Sequence, residues 1–204
     1  MDHLIIASSL PFLLLPALHD LEAWNEAVAG GRWGGFAAGM GEKLRRALDL
    51  EHWAAFQDSF HRLATLLEEV ASGRRGEPPE TITLLGGDVH HAYLAEVAVR
   101  RSAGARSRVV QAVCSPFRND LDRNERRVLR FCASRAGRAV GHALSASARI
   151  EDPGIRWRLT DGPYFDNQVA TLRFRGRGIE IDIDKTVAGE SRPELERVCR
   201  RRFA

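Results

Sequence analysis

The chain has 204 residues, of which 44% are hydrophobic and 28% are charged, and its formal net charge is +3. This composition is typical of a folded globular protein and excludes a disordered chain, and the length suits one domain. So small a net charge gives no argument for a nucleic-acid-binding protein, although the isoelectric point is near 9.0. We therefore expect no specific nucleic-acid partner.

The cysteines and the apolar N-terminal stretch indicate the compartment. Three cysteines without metal-binding spacing fit a reducing environment better than a set of disulfides. Residues 4–18 are apolar, but prolines interrupt them and they are too short to span a membrane. They also lack the basic start of a signal peptide. We expect a cytoplasmic protein without a membrane partner, unless an export signal lies upstream of Met1.

The first third of the chain predicts a strand followed by helices. Residues 3–8 form a short apolar run before a proline, which indicates a strand buried inside a sheet. A helical pattern over 16–29 ends at two glycines, and a glycine-rich loop is expected as far as Gly41. From 42 to 71, apolar residues spaced three and four apart predict one long amphipathic helix. Its apolar face comprises Trp53, Phe56, Phe60, Leu63, Leu67 and Val70.

The remainder is richer in strands. Apolar runs predict strands at 81–87, 93–100 and 107–114, and alternating residues predict strands at 155–160, 167–174 and 178–184 with one wet face. Between these groups, 121–140 is expected to be an arginine-rich helix with Val128, Phe131 and Cys132 turned inward. Residues 188–204 are expected to be a charged helix or tail. A helix-rich first half and a strand-rich second half predict an α/β domain.

One stretch has the pattern of a metal site. The strand over 81–87 ends in Gly86 and Gly87 and is followed by Asp88 and His90. On an extended backbone, residues two apart point to the same face, so a carboxylate and an imidazole would converge. The same letters also describe an ordinary turn, in which Asp88 bonds its own backbone. Spacing alone leaves both interpretations open.

A longer match favours the metal site. The segment TLLGGDVHHAYLAEV resembles the last motif of the alkaline phosphatase D-like branch of the calcineurin-like metallophosphoesterases. The resemblance implies that Asp88 binds one metal of a two-metal centre and that His90 binds the other. SLPFLLLPALHDLEAWNEAV, VVQAVCSPFRNDL and WRLTDGPYFDNQVATLRF resemble further segments of a bacterial subgroup of that branch.

The early motifs of that family have no separate counterpart in this chain. They read roughly D-x-H, G-D-x-x-D and G-N-H-[DE], and where the fourth motif normally has a histidine this chain has Ser9. We therefore expect residues 1–187 to be the C-terminal portion of a four-layer α/β/β/α domain that is truncated at its N-terminus. The missing N-terminal half would be a partner.

The resemblance implies hydrolysis of phosphate mono- or diesters by two metals, each Fe, Mn, Zn or Ca. Oxygen from Asp88 and nitrogen from His90 are compatible with any of these. His91, Arg118 and Asn25 are candidates for supporting the ligands, and His19 is a weaker one. We expect the isolated chain to be inactive, with only two protein ligands. The alternative is a truncated or degenerate non-catalytic module that retains the fold.

Overall fold

The fold consists of one mixed sheet with helices on one face and a smaller sheet on the other. The computed structural model describes residues 1–99, 104–115, 121–189 and 192–203. The helices are α1 (Pro16–Ala29), α2 (Gly35–Ala47), α3 (Gln57–Ala71), α4 (Arg123–Ala133) and α5 (Arg135–Ser147), with a 3-10 turn at Trp53–Ala55. The strands are β1 (His3–Ala7), β2 (Thr81–Gly86), β3 (Ala92–Val99), β4 (Arg108–Val113), β5 (Ile155–Tyr164), β6 (Gln168–Arg175), β7 (Gly178–Val187) and β8 (Glu194–Phe203).

The larger sheet has five strands in the order β1-β2-β4-β3-β5. Strands β1, β2 and β4 are parallel, whereas β3 is antiparallel to both β4 and β5. The predicted α/β class is confirmed. The expectation that β1 lies inside the sheet is wrong, because β1 pairs with β2 alone and Ile5 is 43% exposed. An apolar run predicts a strand, but it does not distinguish an edge position from an interior one.

Apolar side chains alternate between the two faces of this sheet. On one face, Ile82 and Leu84 pack with Phe60 and Leu67 of α3. On the other face, the residues of β3 and β4 pack against the smaller sheet, whose order is β6-β7-β8. That contact includes Leu94, Val110 and Ala112 on one side and Ile179, Ile181 and Ile183 on the other. The layers are therefore helices, five strands and three strands.

Strand β8 corrects the expected C-terminal helix or tail. The acidic residues of β7 lie across from three arginines of β8 on the face away from the core, namely Arg197, Arg200 and Arg202. Asp182 is fully buried, and Arg200 donates to it over 2.7 Å. Glu180 is 1% exposed and accepts from Arg202 over 2.5 Å. Opposite charges on facing residues stabilise an antiparallel pair, so a charged segment that looks like a tail adds a strand here.

The long helix expected over 42–71 is in fact two helices. Helix α2 begins at Gly35, within the predicted loop, and α3 starts only at Gln57. Asp49, between them, has a positive φ of 54°, a conformation that ends a right-handed helix. The apolar spacing continues across this break, which is why periodicity alone missed it.

The arginine-rich segment is also two helices, divided at Ser134. The Ser134 hydroxyl accepts from the Gly137 amide over 3.0 Å and so caps the start of α5. Of the three residues expected to face inward, Cys132 is buried. Val128 and Phe131 are 58% and 48% exposed, so that part of the expectation is wrong. Among the described residues no helix is long and apolar enough to cross a membrane.

The segment after β1 is held tightly against the sheet. Leu13 donates its amide to the Gln111 side chain over 2.8 Å, and its carbonyl accepts from the Tyr93 hydroxyl over 2.5 Å. At the end of β2, a Cβ added to Gly86 would lie 2.8 Å from the Cα of Pro11, closer than real Cβ atoms approach. Glycine is therefore required at 86, because the two backbones are in contact.

Replacing Gly86 by alanine tests this contact. We expect Gly86→Ala to lower the free energy of unfolding by about 1–3 kcal/mol, because backbone must move to admit the methyl group. Gly87→Ala is the matched control, since its nearest neighbouring atom is 3.7 Å away. The measurement is urea unfolding followed by circular dichroism. Equal stability of the two variants would contradict the close packing of Pro11.

Candidate functional site

The carboxyl ends of the three parallel strands meet at one edge of the sheet. After β2, the Gly87 amide donates to the Ser9 carbonyl over 3.1 Å, and so joins the loop that follows β1. After β4, the Cys114 amide donates to the Gly86 carbonyl over 3.2 Å. Open α/β sheets bind ligands at this edge, outside the carboxyl ends of their strands. The segment 87–91, called the GDVHH loop below, lies at this edge.

The GDVHH loop is not an extension of the strand. Asp88 and His90 have positive φ values of 56° and 55°. The argument from alternation along an extended strand therefore does not apply to them, and that geometric expectation is corrected. Side chains still alternate in exposure, with Asp88 exposed and His90 half-buried while Val89 and His91 are buried. Left-handed backbone at a non-glycine residue is uncommon and is concentrated at functional sites.

Asp88 and His90 are the residues of this loop whose side chains can act as metal ligands. Within the described ranges, neither side chain makes a hydrogen bond or an ion pair. A carboxylate and an imidazole together suit a transition metal or a mixed metal pair. The donor types therefore fit the implied metals. No group of three His, Cys, Asp or Glu side chains that could hold a metal occurs in the part of the chain that the structure describes.

His91 anchors the loop from inside. Its Nδ1 donates to the Val89 carbonyl, and its ring stacks on Tyr93 with the centroids 5.3 Å apart. Burial lowers the pKa of His91 to about 4, although the hydrogen bond to Val89 acts in the opposite direction. A histidine held neutral in the interior packs as an aromatic ring. It supports the loop by packing, and its buried Nε2 has no hydrogen-bond partner among the residues that the structure describes.

A buried acid–histidine pair lies on the helical side of the loop. Glu22 on α1 has no exposed side-chain surface, and its carboxylate lies 2.7 Å from Nδ1 of His52. Burial acts to lower the pKa of His52, but the hydrogen bond and charge of Glu22, with the charges of Asp49 and Asp88, outweigh it and raise the pKa. The pair thus connects α1 electrostatically to the GDVHH loop. Sequence reasoning missed it, because the two residues lie thirty positions apart.

A cluster of aromatic and basic side chains lies next to His91 of the GDVHH loop. The Phe165 ring is 6.3 Å from the His91 ring, centroid to centroid. The guanidinium groups of Arg126 and Arg130, on α4, lie over the Phe165 ring at 5.5 and 5.1 Å. These contacts bring α4 and the turn after β5 to the loop. From the sequence, this region was predicted only as an arginine-rich helix, with no indication that it would reach the loop.

The remaining candidate residues are Asn25, His19 and Arg118. Asn25 is buried, and its amide donates to the Gly41 carbonyl over 3.0 Å, which ties α1 to α2. His19 is also buried, between Phe60 and Trp157, and this burial lowers its pKa to about 3, with the charge of His61 as a smaller cause. Arg118 lies outside the described residues.

A cleft of about 920 Å³ lies elsewhere, between the end of α1 and residues 149–151. Its lining includes Glu26, Asp58 and His61 but no residue of the GDVHH loop. Burial, as the largest cause, raises the pKa of Glu26. The cleft is wide and open, and the paired donors lie outside it. We therefore place the candidate site at the loop.

Comparison with known proteins identifies no relative. No protein family model matches the chain, and neither the curated proteins nor the solved structures include a match.

The acid–histidine pair gives a pH-dependent prediction. In His52→Gln the new amide can still donate to Glu22, but it carries no charge. Because the pKa of His52 is raised in the folded protein, its charge stabilises the fold fully below about pH 6.5 while Glu22 is ionised, and this contribution is lost as pH rises through the folded-state pKa. We expect the wild type to be the more stable by about 1–2 kcal/mol near pH 6.

The measurement is chemical denaturation of both proteins between pH 5.5 and pH 9. The advantage of the wild type should shrink steadily towards the alkaline end. His142→Gln, a change at an exposed helical histidine, is the control. The charge of His142 acts on Asp20, so this variant should lose some stability near pH 6, but less than His52→Gln, because exposed charges interact weakly. A constant difference across this range would show that the charge of His52 does not contribute.

Proposed function

We propose that this chain supplies one side of a two-metal centre that hydrolyses phosphate mono- or diesters, with Asp88 and His90 as ligands. The observation that carries the proposal is the GDVHH loop itself. It presents two accessible, uncommitted donors on left-handed backbone at the carboxyl edge of a parallel sheet. The resemblance of this segment to the last motif of the alkaline phosphatase D-like metallophosphoesterases supports the same assignment.

The chemistry of the donors agrees with that reaction. Two bound metals, each Fe, Mn, Zn or Ca, would activate water and neutralise charge on the phosphoryl oxygens during in-line displacement. Asp88 would hold one of them through oxygen and His90 the other through nitrogen. The inward-facing Val89 and His91 keep the loop fixed, so the donor positions are set by packing before a metal arrives.

We further propose that the complete centre belongs to a four-layer α/β/β/α sandwich of which this chain is the C-terminal portion. The outer edge of β1 has no strand partner among the described residues. A further segment that carries the early metallophosphoesterase motifs could extend the sheet there and bring the remaining ligands. Unpaired edges of this kind readily accept another strand.

A non-catalytic module is the second candidate. The described residues contain no cluster of three metal-binding side chains, which fits both candidates, because the proposed centre takes only two ligands from this chain. Under this alternative the GDVHH loop keeps its fold and Asp88 has no catalytic role. The two candidates differ in what happens when the missing ligands are provided.

Complementation tests the proposed function. The chain alone should hydrolyse an aryl phosphate and an aryl phosphodiester no faster than buffer with Mn, Zn, Fe or Ca, because two protein ligands leave most of each coordination shell to water. Adding a segment with the early motifs should create activity. We expect Asp88→Ala or His90→Ala to reduce that activity by at least about a hundredfold, since losing a residue that only orients a metal ligand already costs about 10–100-fold.

The control is His142→Ala, which removes an exposed histidine on α5 and should retain full activity. Robust metal-dependent turnover by the chain alone would contradict the shared centre. Failure of the combined polypeptides to hydrolyse either substrate, with both folded and associated, would favour the non-catalytic module.

A further inference from the structure

Helix α4 holds two arginines over one aromatic ring beside the GDVHH loop. Arg126 and Arg130 are one helical turn apart, and both lie over Phe165 at about 5 Å. The Phe165 side chain is nearly buried, with 6% of the residue exposed. A buried ring is a fixed platform, and a guanidinium stacked on it loses little further freedom when it binds an anion.

The two arginines differ in what else they contact. Arg126 donates to Asp166 and to the Leu121 carbonyl, each over 2.9 Å, so its charge is paired. Arg130 is exposed and, in the described ranges of the chain, forms no hydrogen bond or ion pair. Its five N–H donors are therefore available to a ligand. A cation that is oriented by stacking and left unpaired is suited to bind a phosphate group.

Packing connects Arg130 to the candidate ligands. Val89, which lies between Asp88 and His90 in the chain, packs in the same apolar cluster as Leu129, the residue before Arg130. The Phe165 ring makes a second connection, since it touches Arg130 on one side and lies 6.3 Å from His91 on another. Arg130 therefore borders the loop without belonging to it.

We propose that Arg130 binds a second anionic group of the substrate, so that the site takes phosphate esters that carry another phosphoryl group. The assignment rests on the proposed function, in which Asp88 and His90 hold the metals at the reacting phosphoryl group. We assign the anion of Arg130 to the same substrate molecule because the Phe165 ring lies next to both Arg130 and His91, and His91 follows the proposed ligand His90 in the chain. The guanidinium would bind that anion through its paired N–H groups.

The test is isothermal titration of the whole chain, without metal, with inorganic diphosphate and with orthophosphate. Without metal only Arg130 holds the ligand, and diphosphate should bind it more tightly than orthophosphate because it carries the larger negative charge. Arg130→Gln should weaken diphosphate binding by about tenfold or more, the usual effect of losing charge-assisted hydrogen bonds. Arg130→Lys should fall between, because lysine keeps the charge but not the planar pair of donors. Arg127→Gln, at an exposed arginine of the same helix without a contact to Phe165, should change binding less than twofold.

Thermal melts of the variants check that each remains folded. Equal weakening by Arg127→Gln and Arg130→Gln would reduce the effect to net charge and overturn the proposal, as would undetectable diphosphate binding by the wild type. Because this assay contains no metal and needs no turnover, it is separate from complementation. Loss of diphosphate affinity at Arg130 with no activity on complementation would remove the proposed hydrolysis and keep the anion site.

Discussion

The contact between Gly86 and Pro11 is the constraint on which the carboxyl edge of the sheet depends. It brings two backbones closer than any side chain at 86 would permit. As a result, the Ser9 carbonyl can accept from the Gly87 amide, and the loops after β1 and β2 run side by side. The positions of Asp88 and His90 follow from this backbone contact, because the GDVHH loop begins immediately after Gly86. Local backbone contact thus determines where the donors are presented.

The buried and the accessible side chains of the GDVHH loop have different roles. Val89 and His91 contribute packing, and the neutral state of His91 follows from its burial. Asp88 and His90 remain accessible and unpaired by hydrogen bonds in the described structure. The Glu22–His52 pair interacts electrostatically with Asp88, and Arg130 lies over Phe165 without a hydrogen bond or ion pair to any described residue. Under the proposed function Asp88 and His90 would bind the metals and Arg130 would bind an anion, each through side chains of opposite charge or donor character.

The bounds of several helices and strands were predicted from the sequence more accurately than their partners in the fold. Strands β2, β3 and β4 and helix α1 were predicted within about a residue, because apolar runs and a terminal Gly30 define them locally. The edge position of β1 and the pairing of β8 depend on partners distant in the chain, so no local pattern contained them. Asp88 and His90 were visible as a motif, whereas His52 and Arg130 reach the loop only through the tertiary fold.

Metal binding at the GDVHH loop is the central claim, and paramagnetic broadening measures it most directly. Substoichiometric Mn²⁺ added to the ¹⁵N-labelled chain should broaden the amide signals of residues 87–91 before those of other acidic segments, because relaxation falls steeply with distance from the ion. The selective effect should disappear in Asp88→Asn and in His90→Gln, and it should persist in His142→Gln. Broadening that begins elsewhere, or that is unchanged in the first two variants, would contradict the account.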